Sequence, residues 1–537
     1  MERQLLIAGL DGATWTVLDP LLATGRVPTL ANLITRGSKH SLRSTIPPIS
    51  SAAWVTMMSG MNPGQHGVFD FRNLDLSQYT AHDERLANAG SYSVPTLFDY
   101  LSQANLTSIA YQVPMTYPPW PIRGQMVAGY PTPDHQRAYT WPPELAGSLG
   151  RLYTHSPDQI GAATPAGQAS IYHRYITTMT DQLIQLSRGS WDLLMFVNGA
   201  TDGAQHRFFK FTRPGFPGVS PAEQQQHGHL LDDIMIAADA ELGRLLAALP
   251  ADLDILVISD HGAMPRPGQA FNLNAWLARE GWLNLRAGAS ATRRRSQQLV
   301  EWAKQTLPIT DWAKRRLPAR FKQQLTSLRS GVGSIDWPRT QAYRVKLSHP
   351  IEGIHLNLQG RQPAGVVPTT DYEPLRQEII ARLRTRPEIL AVCPREAAYH
   401  GPHLANAPDI LLQLQPDFDG GADLAEIVTP IPAGWLQSIS GYHDLDGILV
   451  AAGPSFVPQA ALAQQPQLQD ITPTVLHLLG QPVPANMDGR VLLPLLASSR
   501  PVVVSSPLPN TPAGDNQLSP DEEAGIAAAL RDLGYIE

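Results

Sequence analysis

The sequence predicts an α/β fold: a mostly parallel central sheet flanked by helices. Short apolar runs rich in Val, Ile and Leu alternate with stretches of helical spacing through the first half of the chain. Most of these runs are followed closely by a polar residue, and open α/β sheets bind ligands beyond the carboxyl ends of their strands. At 537 residues the chain is long enough for one large body carrying an insertion.

Taken in order, strands are expected at Leu5 to Leu10, Thr107 to Val113, Leu193 to Val197 and Ile255 to Ile258. These belong to the first part of the core, residues 1–265. Residues 266–337 change character, carrying Arg293, Arg294, Arg295, Lys304, Lys314, Arg315, Arg316, Arg320 and Lys322 among Trp302, Trp312 and Phe321. This pattern predicts an inserted, basic helical cap, either a solvated face that packs its Trp and Leu onto the core or a surface that attracts anionic substrate or lipid. The second part of the core, 338–500, should hold strands within Tyr343 to Leu358, a helix from Asp371 to Arg386, and further strands at Asp409 to Leu414 and Gly447 to Ala452. In the tail, 501–537, a Pro- and Ser-rich stretch predicts an extended crossing, followed by a helix from Pro520 to Leu533 capped by Ser519.

Composition narrows the chemistry. Hydrophobic residues at 43% and charged residues at 16% are those of an ordinary folded protein. A net charge of −6 supplies no global field toward nucleic acid, so no nucleic-acid partner is expected. Cys393 is the only cysteine, which excludes an intramolecular disulfide and a cysteine-rich zinc site; any metal must use His and carboxylates. Neither a signal-like N-terminus nor a run long enough to span a membrane is visible, which predicts a cytoplasmic protein without a transmembrane segment.

Five segments carry reactive side chains. In GLDGA, Asp11 follows the first strand, where it can face the ligand crevice or cap a helix. In PPISSAAWVTMMSGMNPGQHGVFDF, residues 47–71, Ser50 and Ser51 stand at the start of a short helix, whose N-terminus favours a phosphoryl group; capping is the plainer role. In FVNGATDGAQHRFF, residues 196–209, Asp202 and His206 are four apart, and a helix would place both on one face as ligands to one cation. In ILVISDHGA, residues 255–263, Asp260 and His261 close an apolar strand. In GYHDLDGILVAAGP, residues 441–454, His443 precedes a strand, a place where a lone His is commonly a surface residue. His66, in a Gly- and Pro-rich turn, and Asp444 and Asp446 read as structural.

In this order the segments resemble the type I phosphodiesterase and nucleotide pyrophosphatase group of the alkaline phosphatase superfamily: Asp11, Ser50 upstream of SGMNPGQHG, Asp202 with His206, SDHG at 259–262, and Gly441 with His443. The likeness spans nearly the whole chain. Later segments, including DITPTVLHLLGQPVPANMDGRVL at 470–492, look like a bacterial branch of predicted phosphohydrolases or phosphomutases. The resemblance implies an alkaline-phosphatase-like fold and two divalent cations. Asp11, Asp260, His261 and the Ser50 oxygen would hold one, and Asp202, His206 and His443 the other. Zinc suits this oxygen and nitrogen set, with manganese or iron as alternatives.

Ser50 is the implied nucleophile because it stands ten residues before Gly60, the family spacing; Ser51 is the fallback. Ser51 and Trp54 are weak candidates for substrate contact. The chain departs from the family in having Ala52 where Pro is frequent and Ala53 where many relatives carry Asn, which changes how non-bridging phosphoryl oxygens are held. The implied activity is hydrolysis of a small-molecule phosphate ester, of the phosphodiesterase or pyrophosphatase type, through a phosphoseryl intermediate. A phosphomonoesterase or phosphomutase on the same core and a non-catalytic binding protein are the alternatives. A sulfatase is disfavoured because Ser50 is not followed by the x-P-x-R pattern.

Overall fold

The computed structural model describes the chain except residues 1–3, 75–78, 80–81, 134–138, 150–159, 161–162, 287–331, 499, 511–517 and 534–537. An eight-stranded sheet runs through the centre. From one edge its strands are Gly37–Arg43, Asp446–Ala452, Asp254–Ile258, Leu5–Leu10, Leu193–Asn198, Ser108–Val113, Gly124–Ala128 and Thr140–Trp141. The five from Asp254–Ile258 to Gly124–Ala128 are mutually parallel, whereas Asp446–Ala452 and Thr140–Trp141 run antiparallel to their neighbours. All four strands expected in the first half lie in this parallel block, within a residue of their expected ends.

Continuous apolar runs are what a sheet covered on both faces requires. Along Leu5–Leu10 every residue is buried, and alternate side chains enter different cores. Leu6, Ala8 and Leu10 meet the helices Trp15–Ala23, Pro165–Leu186, Ala200–Thr212 and Leu230–Ala248. Leu5 and Ile7 meet Ser50–Ser59, Leu97–Gln103, Ile471–Leu478 and the terminal helix Pro520–Leu533. That terminal helix begins as expected, with Ser519 Oγ and backbone N both donating to Glu522 at 2.7 Å.

A smaller antiparallel sheet, in the order Ala342–Lys346, Ile351–Leu356, Ile410–Leu414, Ile389–Pro394, lies beside the first. Its core takes Ile379, Ile380 and Leu383 from the helix Tyr372–Leu383, and Trp276 and Leu277 from Leu273–Arg279. The basic stretch expected to form a cap, from Arg293 to Lys322 with Trp302, Trp312 and Phe321, lies outside the described residues. Among the described residues no helix is long and apolar enough to cross a membrane.

Candidate metal centre

The carboxyl ends of three neighbouring strands meet at one place. Leu5–Leu10 ends in Asp11, Asp254–Ile258 is followed by Asp260 and His261, and Leu193–Asn198 leads into the helix Ala200–Thr212 that carries Asp202 and His206. His443 comes from a different direction. The sequence places it before a strand, yet it lies within the short strand Gly441–Asp444, which pairs antiparallel with Gly262–Pro265 and so delivers the imidazole beside His261. The two rings stack with centroids 3.9 Å apart.

All seven residues singled out in the sequence as metal-binding or nucleophilic converge here, and each is no more than 5% exposed. Ser50 Oγ lies 3.3 Å from Asp11 Oδ1 and 3.2 Å from His261 Nε2. His206 Nε2 is 3.2 Å from Asp202 Oδ2 and 3.2 Å from His443 Nε2. His261 Nε2 is 3.4 Å from Asp260 Oδ2 and 3.7 Å from Asp11 Oδ1. Two groups bring their ligand atoms within 4.8 Å of one another: Asp202 with His206 and His443, and Asp11 with Asp202 and His261.

The capping roles weighed for Asp11 and Ser50 are not those observed. Thr14 occupies the N-cap position of the first helix and Ile49 that of the Ser50 helix, neither with a side-chain capping bond, so Ser50 is that helix's first residue with its hydroxyl turned to the cluster. Ser51 is fully buried, and its Oγ has no hydrogen-bond partner among the described residues. Trp54, weighed for substrate contact, is fully buried and donates Nε1 to Asp11 Oδ2 at 3.1 Å.

Backbone carbonyls set the histidine tautomers. A carbonyl oxygen only accepts, so Nδ1–H donates in each ring: His206 to Gly441 O at 2.7 Å, His443 to Pro48 O at 2.7 Å, His261 to Gly262 O at 2.9 Å. In the neutral rings the Nε2 lone pairs therefore all point inward, the form in which imidazole binds a metal. Two such nitrogens 3.2 Å apart, ringed by carboxylates, form a donor set that a cation satisfies.

Charge points the same way. Burial, followed by the neighbouring Asp260 and Asp202, pushes the Asp11 carboxyl well above its usual range. Asp260 is also raised by burial. Burial acts on Asp202 in the same direction, but His206, His443 and His261 outweigh it and hold this carboxyl low. Burial, then His261, drives His443 well below the usual imidazole value, so its ring is neutral and ready to act as a ligand.

Several supporting residues escape a reading of the sequence. Thr201 Oγ1 donates to Asp11 O at 2.6 Å and Gln205 Nε2 to Gly12 O at 2.7 Å, tying the first turn to the Asp202 helix. Gly12 has φ +65°, and a methyl group there would lie 2.7 Å from Asp202 Oδ1; the turn needs glycine for both reasons. Ser348, from the smaller sheet, places Oγ 3.2 Å from His443 Nδ1. The one available signal was helical spacing, since Thr201 and Gln205 flank Asp202 and His206 on the same helix. His66, as expected, is structural: its Nε2 meets Thr56 Oγ1 at 2.9 Å and its Nδ1 accepts from Val68 N.

Trp54→Phe keeps the ring and removes the N–H that orients Asp11. Loss of an orienting partner costs about 10–100-fold in metal affinity, and that loss is the expected result of titrating metal into the purified variant; unchanged affinity would show that Asp11 needs no such support.

The model of the type I phosphodiesterase / nucleotide pyrophosphatase family matches residues 5–422. In fold the chain is similar to phosphonoacetate hydrolase from Sinorhizobium meliloti 1021, solved in complex with phosphonoacetate, at 14% identity and TM-score 0.53, covering 89% of this chain and 96% of that one. It is also similar to human ectonucleotide pyrophosphatase / phosphodiesterase 5, at 14% identity and TM-score 0.47, covering 92% of this chain and 100% of that one. No curated protein matches the chain.

Proposed function

The chain belongs to the type I phosphodiesterase / nucleotide pyrophosphatase family, and from that premise we propose that it is a two-metal hydrolase of phosphodiesters with Ser50 as nucleophile. The observation that carries this reading is one buried cluster of three inward-facing Nε2 atoms and three carboxylates, with the Ser50 hydroxyl against its Asp11 and His261 members. His443 lies beyond the residues matched by the family model, so its inclusion rests on position alone.

Asp11, Asp260 and His261 with Ser50 would hold one cation, and Asp202, His206 and His443 the other; zinc suits this donor set best. Bound there, the ions supply charge neutralisation and a lowered pKa for the Ser50 hydroxyl. The rest of the chemistry belongs to the chain. Ser50 Oγ loses its proton to solvent and attacks phosphorus, forming an Oγ–P bond as the ester P–O bond on the opposite side breaks, and the departing alkoxide takes a proton back from solvent and leaves as the alcohol. Water then attacks the phosphoseryl group, releasing a phosphomonoester and restoring the hydroxyl. Because Ser50 opens its helix, the first backbone N–H groups and the dipole face the phosphoryl oxygens, a role the missing Asn at position 53 leaves to the backbone.

The test is hydrolysis of bis(4-nitrophenyl) phosphate and 4-nitrophenyl phosphate by the purified chain supplied with Zn²⁺, Mn²⁺ or Fe²⁺. Faster cleavage of the diester supports the proposal; a faster monoester reaction redirects it to a phosphomonoesterase. Turnover of neither ester with any of the metals rejects it.

A further inference from the structure

Both imidazoles of one ligand set depend on a single short strand. Gly441–Asp444 carries His443 and also supplies Gly441 O, which accepts from His206 Nδ1 at 2.7 Å. The residue before it, Ser440, donates N and Oγ to His206 O at 2.7 and 3.1 Å. A shift of this strand would therefore move His206 and His443 together. Asp11 and Asp260 are held elsewhere, at the ends of two parallel strands of the large sheet, where Gly12 N donates to Asp260 Oδ1 at 3.1 Å and Ser259 Oγ to Ala13 O at 2.8 Å.

The ladder that holds the strand pairs its four residues with Gly262–Pro265. A two-stranded ribbon is marginal by itself, and this one is braced by Arg266, the residue that follows the partner strand. Arg266 N donates to Ser440 O at 2.8 Å, and its guanidinium lies 4.6 Å from the centre of the Tyr442 ring. Successive side chains of a strand point to opposite faces, so Tyr442 stands on the back of the ribbon while His443 faces the cluster. Their alternating burial agrees with that placement.

The guanidinium is itself fixed. Its Nε and Nη2 donate to Asp419 Oδ2 at 3.3 and 3.1 Å, and Nη1 donates to Trp435 O at 3.0 Å. Asp419 belongs to the strand Phe418–Gly420, which pairs in parallel with Gln269–Phe271, just beyond Arg266 in the chain. His349 completes the group, its ring 5.1 Å from that of Tyr442 and its Nδ1 3.7 Å from Asp419 Oδ1. Three guanidinium nitrogens bonded at once beside an aromatic ring call for arginine, because lysine offers one compact charge and no fork.

We propose that Arg266 is a positioning residue for the cation held by Asp202, His206 and His443: by gripping Ser440 and Tyr442 it fixes the strand that aims both imidazoles. The inference rests on the two-cation reading above and adds that the two sites are supported separately, so that one can be weakened without the other.

The experiment titrates Zn²⁺ calorimetrically into the metal-free, full-length chain, with His206→Ala and Asp260→Ala identifying the binding event that belongs to each ligand set. Arg266→Lys leaves Asp419 paired with a cation but removes the fork. Tyr442→Leu keeps the Arg266 and Asp419 pair but removes the ring under the guanidinium, and Tyr442→Phe restores that ring. In Arg266→Lys and Tyr442→Leu the event lost in His206→Ala weakens by about 10- to 100-fold, the scale for groups that orient metal ligands, while the event lost in Asp260→Ala stays within about twofold of wild type. Tyr442→Phe binds like wild type, and the metal-free variants melt with it. Equal weakening of both events, no weakening of either, or the same loss in Tyr442→Phe as in Tyr442→Leu would overturn the proposal. Absence of zinc binding by the unsubstituted chain would instead strike the two-cation reading.

Discussion

Ser50→Ala lowers kcat for the preferred ester by about 10⁴-fold or more while metal binding and the melting temperature stay close to wild type. Removing a nucleophile that acts as a unit with its activating groups costs on this scale, and the residual rate comes from positioning alone. The structure makes the variant benign: Ser50 caps nothing, its hydroxyl contacts only cluster residues among the bonds described, and Ala52 and Ala53 show that the helix accommodates alanine. Stopped-flow or steady-state assays at saturating substrate, paired with circular dichroism, measure it. Retained turnover would shift attention to Ser51, buried one residue on with its Oγ unpaired.

Stripping the metal is expected to abolish turnover and to lower thermal stability, and the loss of stability should grow with pH. A cation bound only by the folded state stabilises it by about 2.7 kcal/mol when present at a hundred times its dissociation constant. In the metal-free protein Asp11 has a raised pKa, from burial and then from Asp260 and Asp202. A raised carboxyl contributes stability in full below its unfolded value, and that contribution is lost as pH rises through the folded one. The metal removes this penalty. As pH falls, protons displace the metal from carboxylates and imidazoles, and the two forms converge. Differential scanning calorimetry of loaded and chelated protein at about pH 5 and pH 8 reads the difference directly; a gap that narrows toward alkaline pH would contradict the assigned ligands.

Much of this was legible in the chain itself. The parallel strands announce themselves because strands buried on both faces must be almost continuously apolar, as Leu5–Leu10 is and as Leu193–Asn198 is up to its final Asn198. Asp202 and His206 are readable because helical spacing translates directly into a shared face. The position of His443 was not, since it depends on a two-stranded ladder between segments far apart in sequence, Gly262–Pro265 and Gly441–Asp444, and no local pattern encodes that pairing. Trp54 illustrates the same gap. An aromatic residue near a serine is equally compatible with holding substrate or holding a carboxylate, and only the fold decides that its N–H meets Asp11.

The route by which His443 reaches the cluster has a consequence for biogenesis. Its Nδ1 is anchored to Pro48 O and to Ser348 Oγ, so the imidazole locks only when an early loop, a turn of the smaller sheet and a late strand have all come together. The last of these ligands exists only once synthesis has passed residue 443, long after Asp11 and Asp202. Nascent chains stalled earlier would hold Asp202 and His206 without their third partner, so this set of donors closes only after the Gly441–Asp444 strand has been made.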